Sequence, residues 1–135
     1  MSAEKVITAL LLASADVVAL VADRIGYGPL EQNTGLPALA TNLISEQRRN
    51  TSSTAESSQL MMARMQVTVL ARSYDEQKEL INLVDAACRY KRGTFAGVPG
   101  VSTLPELRGP DMRDDDARVF MQTIDFMVAY LDQAT

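Results

Sequence analysis

The start of the chain shows the hydrophobic spacing of helices. Apolar residues recur at helical intervals over residues 6–11 and again over residues 17–21. Ser14 lies between the two groups and is a residue type that caps helix N-termini, so the pattern predicts one broken helix, or two short ones, over about residues 3–22. The glycines and the proline of residues 24–29 cannot continue a helix and predict a turn.

The middle of the chain changes to the spacing of strands. Residues 36–46 predict a strand, in which Leu39, Leu43 and Ile44 are expected to be buried. Residues 61–72 alternate regularly. The residues predicted to face the core are Met61, Ala63, Met65, Val67, Val69 and Ala71, and those predicted to face away are Arg64, Gln66, Thr68 and Arg72. Between the two strands, residues 48–58 are almost entirely polar and predict a long hairpin arm.

A second helix is predicted after residue 72. Ser73 and Glu76 have the spacing of a capping box, and Gly93 is expected to end the helix. The residues predicted to form its buried face are Gln77, Leu80, Ile81, Val84, Ala87 and Cys88.

The last part of the chain predicts two further strands. Residues 100–108 form the first, in which Pro105 marks a sheet edge, and residues 109–116 predict an acidic loop. Residues 119–131 form the second. The order of elements predicts an α+β fold, a small antiparallel β-sheet with helices packed on one face, and residues 1–135 are expected to form a single domain.

The last predicted strand is apolar on both of its faces. Phe120, Ile124, Phe126, Val128 and Tyr130 are expected to face the core. The opposite face carries Val119, Met121, Met127 and Leu131 beside Thr123 and Asp125. Because two helices can cover only one face of a small antiparallel sheet, the other face is predicted to be an interface with another chain.

The composition restricts the chemistry of the chain. There is no histidine and only one cysteine, so the commonest general base, the commonest metal ligand and a cysteine-based zinc site are excluded. Cys88, on the apolar face of its predicted helix, is expected to be a buried thiol rather than a nucleophile. Asp111 and residues 114–116 lack the ligand spacing of a calcium loop and are expected to be solvated. No catalytic, cofactor-binding or metal-binding residue is predicted, and the chain is not expected to be an enzyme.

The charge and hydropathy argue against nucleic-acid and membrane binding. The net charge of −4 and the pI near 4.8 give a surface that repels DNA as a whole. The richest apolar stretch, residues 6–21, is interrupted by polar residues and falls short of the roughly 20 apolar residues of a membrane helix. The first residues lack the basic region of a signal peptide, so synthesis in the cytosol is expected.

Several segments, spread in order along the chain, carry a resemblance to a known family. They are EKVITALL (4–11), VVALV (17–21), RIGY (24–27), GLPAL (35–39), ARMQV (63–67), SYDEQK (73–78) and FMQTIDFMVAY (120–130). Together they resemble the tail-completion, or tail-terminator, family of long-tailed bacteriophages. The match is thin between residues 91 and 116.

The resemblance implies a structural protein of the virion, assembled in the host cytoplasm, without a reaction or a cofactor. Its implied form is a ring, a hexamer, that caps the tail tube and joins the tail to the head. The implied partners are further copies of the chain, the tail tube protein and the head-tail connector protein, while DNA passes through the channel without specific binding. The alternatives are a head-completion or connector protein of the neck and a small ligand-binding α+β domain.

The candidates for subunit or tail contacts fall into two groups. One group lies at the base and in the first half of the arm, where arginines are expected to pair with carboxylates of a partner. The other lies on the second face of the sheet. The full set is Arg48, Arg49, Asn50, Thr51, Ser52, Ser53, Arg64, Met121, Asp125 and Met127.

Overall fold

The computed structural model describes residues 2–28, 35–49 and 58–133, which form helices packed on one mixed sheet. The helices are α1 (Ser2–Leu12), α2 (Ala15–Val21) and α3 (Tyr74–Cys88). The strands are β1 (Ile25–Tyr27), β2 (Ala38–Arg48), β3 (Ser58–Ala71), β4 (Arg92–Phe95), β5 (Val98–Arg108), β6 (Met112–Asp114) and β7 (Val119–Gln133). The predicted α+β class is confirmed.

The strands follow the order β1-β2-β3-β7-β5-β4, and β6 pairs with β7 beside β5. The β1–β2 pair is parallel and the other pairs are antiparallel, so the sheet is mixed rather than wholly antiparallel as predicted. The last strand, β7, lies in the middle of the sheet between β3 and β5.

Three short strands lie where turns, loops or connections were predicted. β1 occupies part of the predicted turn at residues 24–29, and β6 occupies part of the predicted acidic loop at residues 109–116. β4 contains Gly93, which was wrongly predicted to end the second helix. That helix ends at Cys88 instead, because the N–H of Tyr90 donates to the carbonyl of Thr103 at 3.0 Å and turns the chain into the sheet.

The helix starts follow the prediction closely. The first helical segment breaks in two at Ser14, whose Oγ accepts a hydrogen bond from the N–H of Val17 at 3.3 Å. Ser73 Oγ caps α3 by accepting from the N–H of Glu76 at 3.1 Å. The Glu76 carboxylate accepts from the backbone N–H of Arg72 at 2.9 Å, one residue earlier than the capping box predicts.

The core lies between the helices and one face of the sheet. The buried face of α3 is the predicted one, and its side chains join those of α1, β3 and β7 in one apolar cluster. The core alternation predicted for β3 is confirmed, as is that of β7 from Ile124 to Tyr130. The burial predicted for Leu43 and Ile44 is wrong, since both are exposed. The pairing register of β2 with β3 shifts between Leu43 and Ser45, so the regular alternation of β2 ends there.

The edge position predicted for Pro105 is correct. β4 pairs with β5 only from Val98 to Ser102 and leaves the rest of β5 without a neighbour on that side among the described residues. The N–H of Thr103 donates to the carbonyl of Lys91 at 3.0 Å, on the edge of β5 that faces away from β7. Two residues further along the strand, the nitrogen of Pro105 faces the same side, where its missing hydrogen costs no bond.

Candidate subunit interface

The sheet face opposite the helices, here called the outer face, is largely apolar. Register pairs across β3, β7, β5 and β6 place its side chains together. Its apolar members are Leu60, Met62, Leu70, Leu104, Met112, Met121, Met127 and Leu131. Leu104 is 49% exposed and Met112 is 42% exposed. The helices of the described chain pack on the other face, so the second apolar face predicted from the sequence is present.

A polar group lies in the middle of the outer face. Arg64 Nε lies 2.9 Å from Asp125 Oδ2, and Gln66 Nε2 donates to Asp125 Oδ1 at 3.2 Å. The Asp125 side chain is only 9% exposed, whereas that of Arg64 is 34% exposed. Both carboxylate oxygens accept hydrogen bonds, so the buried charge is paired and satisfied. The group is neutral as a whole, and an apolar partner can cover it without burying a net charge.

The structure unites only part of the predicted interface set. Arg64, Met121, Asp125 and Met127 lie together on the outer face. Arg48 pairs in register with Met61 of β3, which places its side chain on the helix side of the sheet. The N–H of Arg49 donates to the carbonyl of Leu60 at 2.9 Å, so both arginines lie at the end of the β2–β3 hairpin. The remaining candidates, Asn50, Thr51, Ser52 and Ser53, lie outside the described residues.

Several outer-face residues were missed in the sequence. Leu60, Met62 and Leu70 lie at the same two-residue spacing as the predicted polar face of β3 and therefore on that face, so the pattern contained the signal for them. Leu104 follows from the alternation of β5. Met112 had no signal, because its strand is three residues long and shows no period of its own.

A second polar cluster fastens the chain before β6 to α3. Asp111 Oδ2 accepts from the Tyr74 hydroxyl at 3.1 Å, and Oδ1 accepts from Gln77 Nε2 at 3.0 Å and from Lys78 Nζ at 2.5 Å. Lys78 Nζ also donates to Gln122 Oε1 at 3.0 Å. The bond from Lys78 lowers the pKa of Asp111, and the same bond raises the pKa of Lys78. Asp111, expected to be solvated, is therefore a tether.

The acidic residues after β6 make local contacts, and the thiol of Cys88 lies in the core. Asp114 Oδ1 accepts from the N–H groups of Asp116 and Ala117 at 3.1 Å, and Asp115 pairs with Arg113 at 2.6 Å. Within residues 2–28, 35–49 and 58–133, no three acidic or cysteine side chains are placed to hold a metal ion. The Cys88 thiol is buried as predicted, and burial raises its pKa to about 12. None of the helices in the described part of the chain is long and apolar enough to cross a membrane.

Comparison with known proteins identifies the family of the chain. The chain matches the family described as Tail completion protein gp17 over residues 5–131. It therefore belongs to this family of bacteriophage tail proteins and is a structural component of the virion.

Its fold is similar to that of a chain in a solved structure, the virion of a native gene transfer agent particle. The TM-score is 0.68 at 15% sequence identity, and the alignment covers 96% of this chain and 97% of the other. No curated protein matches the sequence.

Proposed function

We propose that the protein is a tail terminator, whose copies form a ring, a hexamer, that caps the tail tube and joins the tail to the head. The outer face carries this proposal. The outer face carries eight apolar side chains around one neutral polar group, and exposed apolar faces of this kind often mark a contact with another chain. The partners proposed for the ring are further copies, the tail tube protein and the head-tail connector.

The net charge and the absence of histidine support a structural conduit rather than a catalyst. The chain has a net charge of −4, so a channel built from its copies lets DNA pass without holding it. It contains no histidine, and the thiol of Cys88 is buried and protonated at neutral pH. We therefore propose that the protein has neither a reaction nor a cofactor.

Electron microscopy of the purified protein, alone and mixed with tail tubes, tests the proposed function. We expect hollow rings, or caps at the ends of tubes. Particles that bind only the connector would favour a neck protein, and subunits that form neither rings nor caps under any of these conditions would refute the proposal.

A charge on the outer face tests which surface makes the contact. Leu104→Asp places a carboxylate in the apolar outer face at a position already half exposed, so the monomer should fold normally. We expect loss of rings and caps with an unchanged circular dichroism spectrum. Leu12→Asp is the matched control, because Leu12 is similarly exposed but lies on α1, on the helix side. If the Leu104 variant formed rings at the wild-type level, the outer face would be excluded as the contact between subunits.

A further inference from the structure

One lateral margin of the sheet presents an apolar protrusion. β1 pairs with β2 only from Leu39 to Thr41, whereas β2 continues to Arg48. The register shift that follows leaves Ile44 without a residue opposite it in β3, and we call Leu43–Ser45 the β2 bulge. Leu43 is 38% exposed and Ile44 is 49% exposed. Among the described residues, this edge of β2 has no paired strand, and exposed apolar residues at such an edge promote association unless another surface covers them.

The opposite margin of the sheet presents a groove. It lies on the helix side beside β4, between the α1–α2 junction and the second half of α3, and it has a volume of about 440 Å³. Its lining consists of small side chains, larger apolar side chains and two charged side chains. The residues that matter here are Ala13, Ala86, Leu83, Phe95, Asp16 and Lys91. We call it the helix-side groove.

The two features match in size and in apolar character. The groove is larger than one leucine and one isoleucine side chain together, and its walls are mainly apolar. The β2 bulge offers one of each side chain, adjacent in sequence and both exposed.

The charges beside the two features are also complementary. Glu46 and Arg48 follow the bulge, and their register with Ala63 and Met61 places both on the helix side of the sheet. The Tyr130 hydroxyl donates to the Glu46 carboxylate and holds it in place. The groove is lined by one basic residue, Lys91, and one acidic residue, Asp16. Glu46 can therefore pair with Lys91, and Arg48 with Asp16.

From these observations we infer that the β2 bulge of one copy inserts into the helix-side groove of the next copy, with Glu46 facing Lys91 and Arg48 facing Asp16. The strand order places the two features at opposite margins of the subunit. A contact between different surfaces of identical subunits repeats from copy to copy and closes into a ring when the rotation allows it. The inference rests on the proposed ring and supplies a contact between the lateral margins of neighbouring copies, in addition to the contact proposed for the outer face.

Disulfide cross-linking of the full chain tests this contact. The variant Ile44→Cys/Ala86→Cys carries one thiol on the bulge and one in the groove. Under mild oxidation at ring-forming concentration, we expect most of the protein to run as a ladder of linked multimers on a non-reducing gel. Each single variant can give dimers at most. Buried Cys88, whose pKa is about 12, does not compete.

A displaced thiol is the control. Ala117→Cys lies in the exposed turn after β6, and no residue of that turn lines the groove. Ile44→Cys/Ala117→Cys should therefore give no ladder. An equal ladder from this variant would mean random collision and would overturn the inference.

Charge reversal gives a second readout that does not depend on thiols. Arg48→Glu and Asp16→Arg should each abolish rings, and the double variant should restore them, since the pair is then opposite in sign again. Wild-type rings without a ladder and without this rescue would overturn the inference and leave the ring function standing. Absence of rings from the wild-type protein would instead refute the proposed function and, with it, the contact.

Discussion

At the scale of single residues, the buried carboxylate of Asp125 sets the main condition for covering the outer face, because its charge must stay paired. Its two oxygens are satisfied by Arg64 and Gln66, so the monomer tolerates it at little cost. An interface that covers the outer face depends on that pairing more strongly, because a covered charge without its partner is costly.

Asp125→Asn should therefore separate folding from assembly. Because Arg64 is about one-third exposed, we expect the free energy of unfolding of the monomer to fall by no more than about 1 kcal/mol. Ring or cap formation should be lost, since the unpaired guanidinium would be covered. The double variant Arg64→Gln/Asp125→Asn should restore assembly. Urea unfolding and electron microscopy on the same samples measure both effects, and a single variant that assembles normally would contradict the argument.

Phe126 provides the corresponding test on the core side of β7. It is fully buried in the cluster that joins α3 to the sheet. Phe126→Ala should lower the free energy of unfolding by about 3–5 kcal/mol in urea. Met127→Ala, on the neighbouring but outward position, should cost clearly less. A loss below about 1 kcal/mol for the Phe126 variant would not fit a buried aromatic side chain.

The sequence predicted burial well wherever the period was regular. The buried face of α3 and the core-facing residues of β3 follow from spacing alone, because each runs for several turns or alternations without interruption. Ile44 was predicted wrongly because it is an inserted residue in β2, and an insertion leaves no mark on hydrophobicity. Leu43 keeps the core-side register opposite Met65 but lies beyond Thr41, where the burial of β2 ends.

At the scale of elements, Asp111 fastens the chain before β6 to α3 by a pH-dependent contact. Its pKa lies below the ordinary 3.8, so the unfolded chain takes up this proton first as the pH falls. The tether therefore stabilises the fold above the ordinary pKa, and its contribution is lost as the pH falls through the lowered one.

Asp111→Asn should flatten the acid side of the stability profile. Between about pH 5 and pH 2, the urea midpoint of the wild-type protein should fall more steeply than that of the variant. At neutral pH the variant should be the less stable of the two. Asp115→Asn, which alters an exposed ion pair in the following turn, is the control and should leave the slope nearly unchanged. Parallel profiles for the Asp111 variant and the wild type would contradict the tether.

The polar arm predicted at residues 48–58 is expected to serve assembly rather than folding. Its interior, residues 50–57, lies outside the described residues, but the ladder on either side extends to the Arg48–Met61 pair. Replacing residues 50–57 by a short turn should leave the circular dichroism spectrum and the melting temperature nearly unchanged. We expect ring closure or tail joining to be lost, and complementation of tail assembly measures this. Tails completed at wild-type efficiency would show that the arm is only a connector.

The three short strands could not be predicted from the hydrophobic pattern of the sequence. β1 and β6 have three residues each and β4 has four, which is too few for an alternation to be recognised. β4 and β6 are held by hairpin pairing with the strands that follow them, and β1 is held by pairing with β2. The N–H of Leu39 donates to the carbonyl of Arg24 at 2.9 Å, and the N–H of Gly28 donates to the carbonyl of Thr41 at 2.8 Å, which together hold β1 in parallel register.

At the scale of the whole molecule, the outer face was predictable and the lateral features were not. β7 carries apolar residues at both its odd and its even positions, so the sequence alone predicts a second apolar face. The helix-side groove is built from α1, α2, α3 and β4, whose mutual placement no local pattern contains. The polar contacts between β7 and its neighbours likewise depend on a register that only the folded sheet defines.

The central place of β7 also has a consequence for synthesis on the ribosome. β7 separates β3 from β5, so the sheet cannot be completed until residues 119–133 have left the exit tunnel. Most of the pairing joins segments far apart in the chain, which slows folding relative to a helical protein of similar length. A nascent chain interrupted before Val119 lacks the strand on which both halves of the sheet depend. Such a fragment should be degraded rather than enter a growing particle, which protects virion assembly from incomplete subunits.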